Sequence, residues 1–415
     1  MFKFTNREWS WAIYDFGNSA YALIVMTIFF PLFFAEYVVP GQLSPALWGG
    51  AVSFSILLVG LISPFLGAYA DKETNRKGFF VLFSIIAIMG TIALPFTAYV
   101  PSYLGVFIFI LVNSAFGLSL FLYDSFIIAV VHEKKVSTTL SGIGWAIGYI
   151  GGPLCLLIAY LLMGMKLPTM LKDYRTLFVT TGLFFLFCSV WPFRALPKDE
   201  EPPDDFLGLS SMQIVLNTTR SWRKMKHIFV FLLAMYFIMD GLTTIVYFVS
   251  LFAQKGLGFT IEEIVKLLVI VQVVGIFATA IMCWLAERFG EIRLLVFCSV
   301  IWVVIVFLMY FNTDYNAYFY ISLLTGVVVG STPAIARGFL GKIVPIDKRA
   351  ELFGFNSFAS RIATLMGPVI FGIVASSWNM KIALLTVIPF FAVGVFMLLY
   401  LGTNFKRWER EGSVK

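Results

Sequence analysis

Asp15, Asn18 and Ser19 interrupt an otherwise apolar run at i, i+3 and i+4, a spacing that sets all three on one face of a helix. Asp240, Thr243, Thr244 and Tyr247 repeat that pattern in a second run. If such runs cross a membrane, each ionisable group is costly unless paired or hydrated, which makes it a candidate for function. The first patch could accept a proton or cation near one membrane face, or act as a structural hydrogen-bond cluster close to the interface. Asp240 stands about twelve residues into its run, near mid-membrane, where a carboxylate could exchange a proton; it is the preferred coupling residue. If the two runs are counterparts across a cavity, their polar faces could meet.

Arg337 and Arg361 are the bases left deep inside apolar runs. Asn113, Gly117, Leu120 and Asp124 share a face with Tyr123 adjacent, and Asp124 is expected roughly 10 Å inside its helix end. A guanidinium pairs bidentately with a carboxylate, so Asp124 with Arg337 or Arg361 forms an expected gate. Arg361 shares a face with Ser357 and Thr364 and could instead hold a substrate carboxylate, with Asp240 or Asp15 meeting an ammonium group. The residues leave both roles open. Tyr14, Trp145 and Tyr149 could cover a solute or simply pack.

The elements that must position these groups are long apolar helices. Of 415 residues 60% are hydrophobic and 13% charged, which no soluble class matches. Runs long enough to cross about 30 Å of hydrocarbon recur along the chain. Expected spans are 10–35, 46–70, 78–99, 103–131, 139–163, 176–194, 228–253, 262–286, 292–311, 316–341, 351–376 and 381–402. The first, entered by Lys3 and Arg7, reads as a retained helix rather than a signal peptide. The fold class is therefore all-α: a polytopic membrane protein of about twelve transmembrane helices.

The net charge of +7 could suggest a nucleic-acid partner, but the bases collect in alternate loops, Lys72, Arg76, Lys77, Arg220, Arg223, Lys348 and Arg407 among them. The positive-inside rule then places both termini in the cytoplasm and assigns the charge to topology, with the lipid bilayer as partner and no nucleic acid. Cys155, Cys188, Cys283 and Cys298 form no C-x-x-C pair and read as packing residues. Phosphate-loop, zinc-protease and nucleophile-elbow motifs do not occur, and His132 and His227 fall in loops. No catalytic residue, cofactor or metal set is expected, and the chain does not read as an enzyme.

A polar stretch from Arg194 to His227 divides the chain into a bundle at 1–194, a linker at 195–227 and a bundle with a short tail at 228–415. The linker's segment 206–227 could form an amphipathic helix on the inner leaflet, tethering the halves. The halves repeat with an offset near 215 residues. Gly144, Gly148 and Gly152 precede Pro153, while Ala359, Ala363 and Gly367 precede Pro368. Small residues at every fourth position let another helix approach closely. The loop after the second span, with Gly67, Asp71, Lys72, Arg76 and Lys77, is matched after the eighth by residues 284–293, where Glu287 and Arg288 answer to Asp71 and Lys72. A six-span repeat gives both copies the same orientation, as two pseudo-symmetric six-helix bundles with a substrate path between them.

Gly67, Asp71, Lys72, Arg76 and Lys77 resemble the loop between spans two and three of the major facilitator superfamily, with Asn75 where that family usually has glycine. Three further segments are similar to the vacuole-effluxer family, the autophagy-related amino-acid effluxers and their bacterial relatives. They are residues 11–20 continuing to 29–32, residues 141–153, and Met239-Asp-Gly-Leu-Thr-Thr244. The resemblance implies secondary transport of a small solute by alternating access, amino acids first. From the residues come an expected coupling proton, a conformational switch in the loop after span two, and an Asp71 latch against the start of helix eleven. A single chain in a bacterial inner membrane is expected, the host read from the compact loops. Export of an amphipathic or lipid-like compound, or a non-transporting receptor on the same fold, remain the alternatives.

Overall fold

The structure is a computed structural model that describes residues 5–72, 75–126, 130, 136–163, 174–197, 226–343 and 366–413. Arg361, Ala359, Ala363, His132 and the linker segment 198–225 lie outside the described residues, as do the side chains of Gly67, Asp71 and Lys72.

All regular structure among the described residues is helical. The first half comprises α1 (Asn6–Val38), α2 (Ser44–Lys72), α3 (Arg76–Tyr99), α4 (Ser102–Ser125), α5 (Val136–Leu162) and α6 (Tyr174–Ala195). The second comprises α7 (Lys226–Gly256), α8 (Ile261–Phe289), α9 (Glu291–Phe311), α10 (Tyr315–Leu340), α11 (Met366–Ser377) and α12 (Met380–Phe405). Among the described residues eleven helices are long and apolar enough to span a membrane, and α11 is a shorter apolar helix.

Local chemistry sets several helix starts. Thr5 and Glu8 form a reciprocal capping box, with Thr5 N donating to Glu8 Oε2 at 2.7 Å and Glu8 N to Thr5 Oγ1 at 3.3 Å. Thr260 and Glu263 open α8 in the same way. Asp314 caps α10 through the Asn316 and Ala317 amides. Gly290, at φ +101°, ends α8 and starts α9 without a longer loop, a backbone state that glycine adopts without strain. In α1 the turn widens to π geometry over Tyr21–Ile28 and Phe34–Val38, on either side of the segment containing Pro31.

The helix pairings repeat between halves. α1 packs on α5 and α6, α2 on α4, and α3 on α4 and α6; correspondingly α7 packs on α11 and α12, α8 on α10, and α9 on α10 and α12. The contacts that cross between halves are paired too, α2 against α11 and α5 against α8, with α1 meeting α7. Bulky side chains such as Phe187, Tyr103 and Phe396 stand exposed on the outside, where a lipid bilayer rather than water is the compatible solvent.

Two expectations need correction. The described helix α4 ends at Ser125, so Asp124 lies exposed in its last turn instead of well inside the span; the apolar residues after it carry no stop signal from which that end could be read. His227 belongs to the first turn of α7 rather than to a loop, with its ring 5.9 Å from that of Phe405.

Candidate functional site

The Asp15 patch forms as its spacing requires. Asn18 Nδ2 donates to Asp15 Oδ1 at 3.2 Å, and Ser19 Oγ donates to the Asp15 carbonyl at 2.7 Å. The face looks into α5, whose small residues leave room for it. A Cβ on Gly144 would lie 2.9 Å from Asp15 Oδ2, and one on Gly148 would lie 2.5 Å from Ser19 Oγ. Gly151, one residue off the every-fourth stripe, makes the closest approach, 2.0 Å from the Phe16 carbonyl oxygen to a built Cβ.

Asp15 is not isolated. The Arg337 guanidinium from α10 and the Asp124 carboxylate from α4 both act electrostatically on it, and all three act on the buried Tyr123. The structure therefore gathers Asp15, Asp124 and Arg337 from three helices and both halves into one charged cluster. Arg337 also lies over the Trp145 ring of α5, 5.8 Å from its centroid. The cluster rests on an aromatic clamp that sequence reading missed. Trp11 and Tyr123 stack at 4.5 Å; Trp11 Nε1 donates to the Tyr123 carbonyl at 3.1 Å and Tyr123 Oη donates to the Trp11 carbonyl at 3.0 Å. An indole and a phenol facing an apolar helix, each needing a hydrogen-bond partner, were the available signal.

Asp240 has different surroundings. It is wholly buried, and both its oxygens accept from the Gly367 amide at 3.0 Å, with the Met366 amide also contributing. No cation acts on it among the described residues. Thr244 Oγ1 donates to the Asp240 carbonyl at 2.6 Å and Thr243 Oγ1 to the Met239 carbonyl at 2.7 Å, so both threonines bond back along their own helix. The Asp15 and Asp240 faces thus do not meet: each addresses the fifth helix of its own half, because that is where the small residues admit it.

Other candidates resolve into packing and sealing roles. Tyr14 is fully buried, its hydroxyl 2.8 Å from Ser84 Oγ and 3.1 Å from Ser119 Oγ, and is closed off from any solute. Asn113 Nδ2 donates to Ser55 Oγ at 2.6 Å, tying α4 to α2. Tyr149 reaches across the halves: a Cβ on Gly330 would lie 2.2 Å from its hydroxyl. Lys77 donates to the Arg194 and Leu196 carbonyls at 3.1 and 2.6 Å, capping the C-terminal end of α6, and Arg76 lies over the Phe126 ring at 5.9 Å. Cys155, Cys188 and Cys298 are buried free thiols and Cys283 is half-buried.

At the end remote from the termini the halves are closely joined. A Cβ on Gly49 would lie 2.2 Å from the Pro368 carbonyl and one on Gly372 would lie 2.6 Å from the Pro45 carbonyl. The Ala46 amide donates to Ser376 Oγ at 3.0 Å, and Trp48 Nε1 donates to the Tyr247 carbonyl at 3.0 Å. This side of the seam is shut by backbone-to-backbone packing.

The family model for vacuole effluxer Atg22 like proteins matches residues 44–411. The chain belongs to that family. It is 29% identical over 420 residues to an MFS-type transporter, YxiO, of Bacillus subtilis, covering 97% of this chain and 96% of that one. It is also 21% identical over 452 residues to autophagy-related protein 22 of Pichia angusta, covering 92% and 80%. Among solved structures, the nucleoside transporter NupG superposes with a TM-score of 0.71 at 14% identity, covering 95% of this chain and 99% of that one. A D-xylose-proton symporter gives a TM-score of 0.71 at 14% identity, covering 95% and 96%. These likenesses bear out the all-α major facilitator fold. The chain is an integral membrane transporter of that type, not an enzyme.

Proposed function

We propose that this effluxer-family chain is a secondary active transporter that moves amino acids by alternating access, driven by a proton. The observation that carries the reading is Asp240, a fully buried carboxylate at membrane depth held by backbone amides of α11, with no cation acting on it among the described residues. Taking up a proton removes its charge and weakens its hold on Gly367, which biases how α7 and α11 pack. The Asp15, Asp124 and Arg337 cluster serves as the gate on the termini side, joining α1 and α4 to α10 when that side closes. Asp15 with Asn18 forms the substrate-ammonium or second proton site, and Arg361 the carboxylate site or second gate base. The loop carrying Gly67, Asp71, Lys72, Arg76 and Lys77 acts as the conformational switch. Two bundles, 1–194 and 228–415, rock about the seam, joined by the cytoplasmic linker 195–227. Both termini are cytoplasmic, the membrane is a bacterial inner membrane, and the working unit is one chain.

The test is flux in proteoliposomes with and without a pH gradient, across a panel of labelled amino acids. Wild type should accumulate one of them against its gradient. Asp240→Asn should lose gradient-driven accumulation while keeping exchange of the same solute. Unaltered proton-driven accumulation in Asp240→Asn removes the coupling assignment. Binding without flux favours a receptor, and flux of an amphipathic compound alone replaces amino acids as the cargo.

A further inference from the structure

A cavity of about 530 Å³ opens at the end remote from the termini, outside the charged cluster and the Asp240 contact. Gly41, Gln42 and Pro45 line it from the first half; Lys255 at the end of α7, Asn379, and Lys381 at the start of α12 line it from the second. Two lysines therefore line one concave space, together with Gln42 and Asn379, and no acidic residue is in its lining among the described residues. Glu36 is the one acid that acts on Lys255 from nearby, and its carboxylate is shared with the Tyr37 hydroxyl. Two like charges on the walls of one hollow repel, and an anion bound between them relieves that repulsion.

Leu43, Phe311 and Trp378, each next in sequence to a lining residue, are 67%, 75% and 72% exposed. A cationic hollow at a membrane face, with exposed bulky apolar residues next in sequence to its lining, suits an oxyanion that carries, or lies beside, hydrocarbon. We propose that this cavity binds a phosphate-type oxyanion, supplied by a lipid headgroup or by a free organophosphate, with Lys255 and Lys381 as its charged partners. Because both halves line the cavity, the bound anion bridges them and favours the arrangement in which this end is shut.

Thermal unfolding of the purified full chain in neutral detergent tests the proposal, using short-chain phosphatidylglycerol, short-chain phosphatidylcholine and glycerol phosphate as probes. Wild type should show a saturable rise in midpoint with an anionic probe and none with phosphatidylcholine. The Lys255→Gln/Lys381→Gln double variant should need at least tenfold more probe. Lys266→Gln, a control at the same end whose ammonium is paired with Glu262 at 2.8 Å, should respond as wild type does. A response to phosphatidylglycerol alone identifies a headgroup, and one to glycerol phosphate as well identifies the free anion; either supports the site. No rise with any anionic probe, or an equal rise in the double variant, overturns it. If the double variant does not fold, Lys381→Gln alone and wild type in high salt take its place, and a response undiminished in both overturns the site.

Discussion

The α1–α5 and α7–α11 contacts are equivalent in the repeat, yet they use their small residues differently. In the first half Gly144 and Gly148 admit the Asp15 and Ser19 side chains, Gly151 lets α1 approach α5 backbone to backbone at Phe16, and Asp15 is acted on by charged groups from α4 and α10. In the second half Gly367 admits side chains, Asp240 and Thr244, and the carboxylate ends on a backbone amide. One contact adds a main-chain approach, at Gly151, and is connected electrically to the other half. The other is held by a polar bond that a proton can alter. A duplicated fold can thus reserve rigidity for one copy and responsiveness for the other.

The sharpest way to break this contrast is an alanine in each stripe. Gly151→Ala should cost on the order of 2–3 kcal/mol of unfolding stability, because the Phe16 carbonyl cannot turn away. Gly367→Ala should cost less in stability, since the Thr244 hydroxyl can rotate, but should depress transport more. Comparing unfolding midpoints and flux for the pair checks both, and equal stability losses would erase the distinction.

Next in size is the carboxylate itself. Asp240→Leu leaves the Gly367 amide unpaired in a buried site and should lose about 1–3 kcal/mol, while Asp15→Leu, half-buried, should lose less. Denaturation of both variants in the same detergent measures the order. Trp11→Phe removes one arm of the reciprocal clamp and should cost about 1 kcal/mol, seen in the same assay. The smallest effect is expected for Lys77→Met, which removes a cation from the C-terminal end of α6, worth about 0.3–1 kcal/mol and reduced by salt.

Much of the frame was legible. The twelve runs, the repeat at Pro153 and Pro368, and the Asp15, Asn18 and Ser19 face all follow from helical period and hydropathy, and the described helices agree closely. The gathering of Asp15, Asp124 and Arg337 was half legible: a base and an acid within apolar runs invite pairing, but nothing in residue type ties Asp15 to them. The Gly367 amide as partner of Asp240 was not legible, since a backbone donor leaves no mark in residue type, and the Trp11–Tyr123 clamp left only two ring groups in need of partners, which do not name each other across more than a hundred residues.

By itself the sequence determined that this chain spans a membrane as helices, that it does so twice over in one pattern, and which few polar groups are carried to depth. Hydrophobic length and spacing decide those matters within each helix, from residues near in the chain. Only the tertiary structure decided that the first acid joins a charged cluster across the halves while the second ends on the backbone of α11. Helices in lipid are positioned by close packing of small residues, and which faces that packing brings together depends on contacts among distant segments.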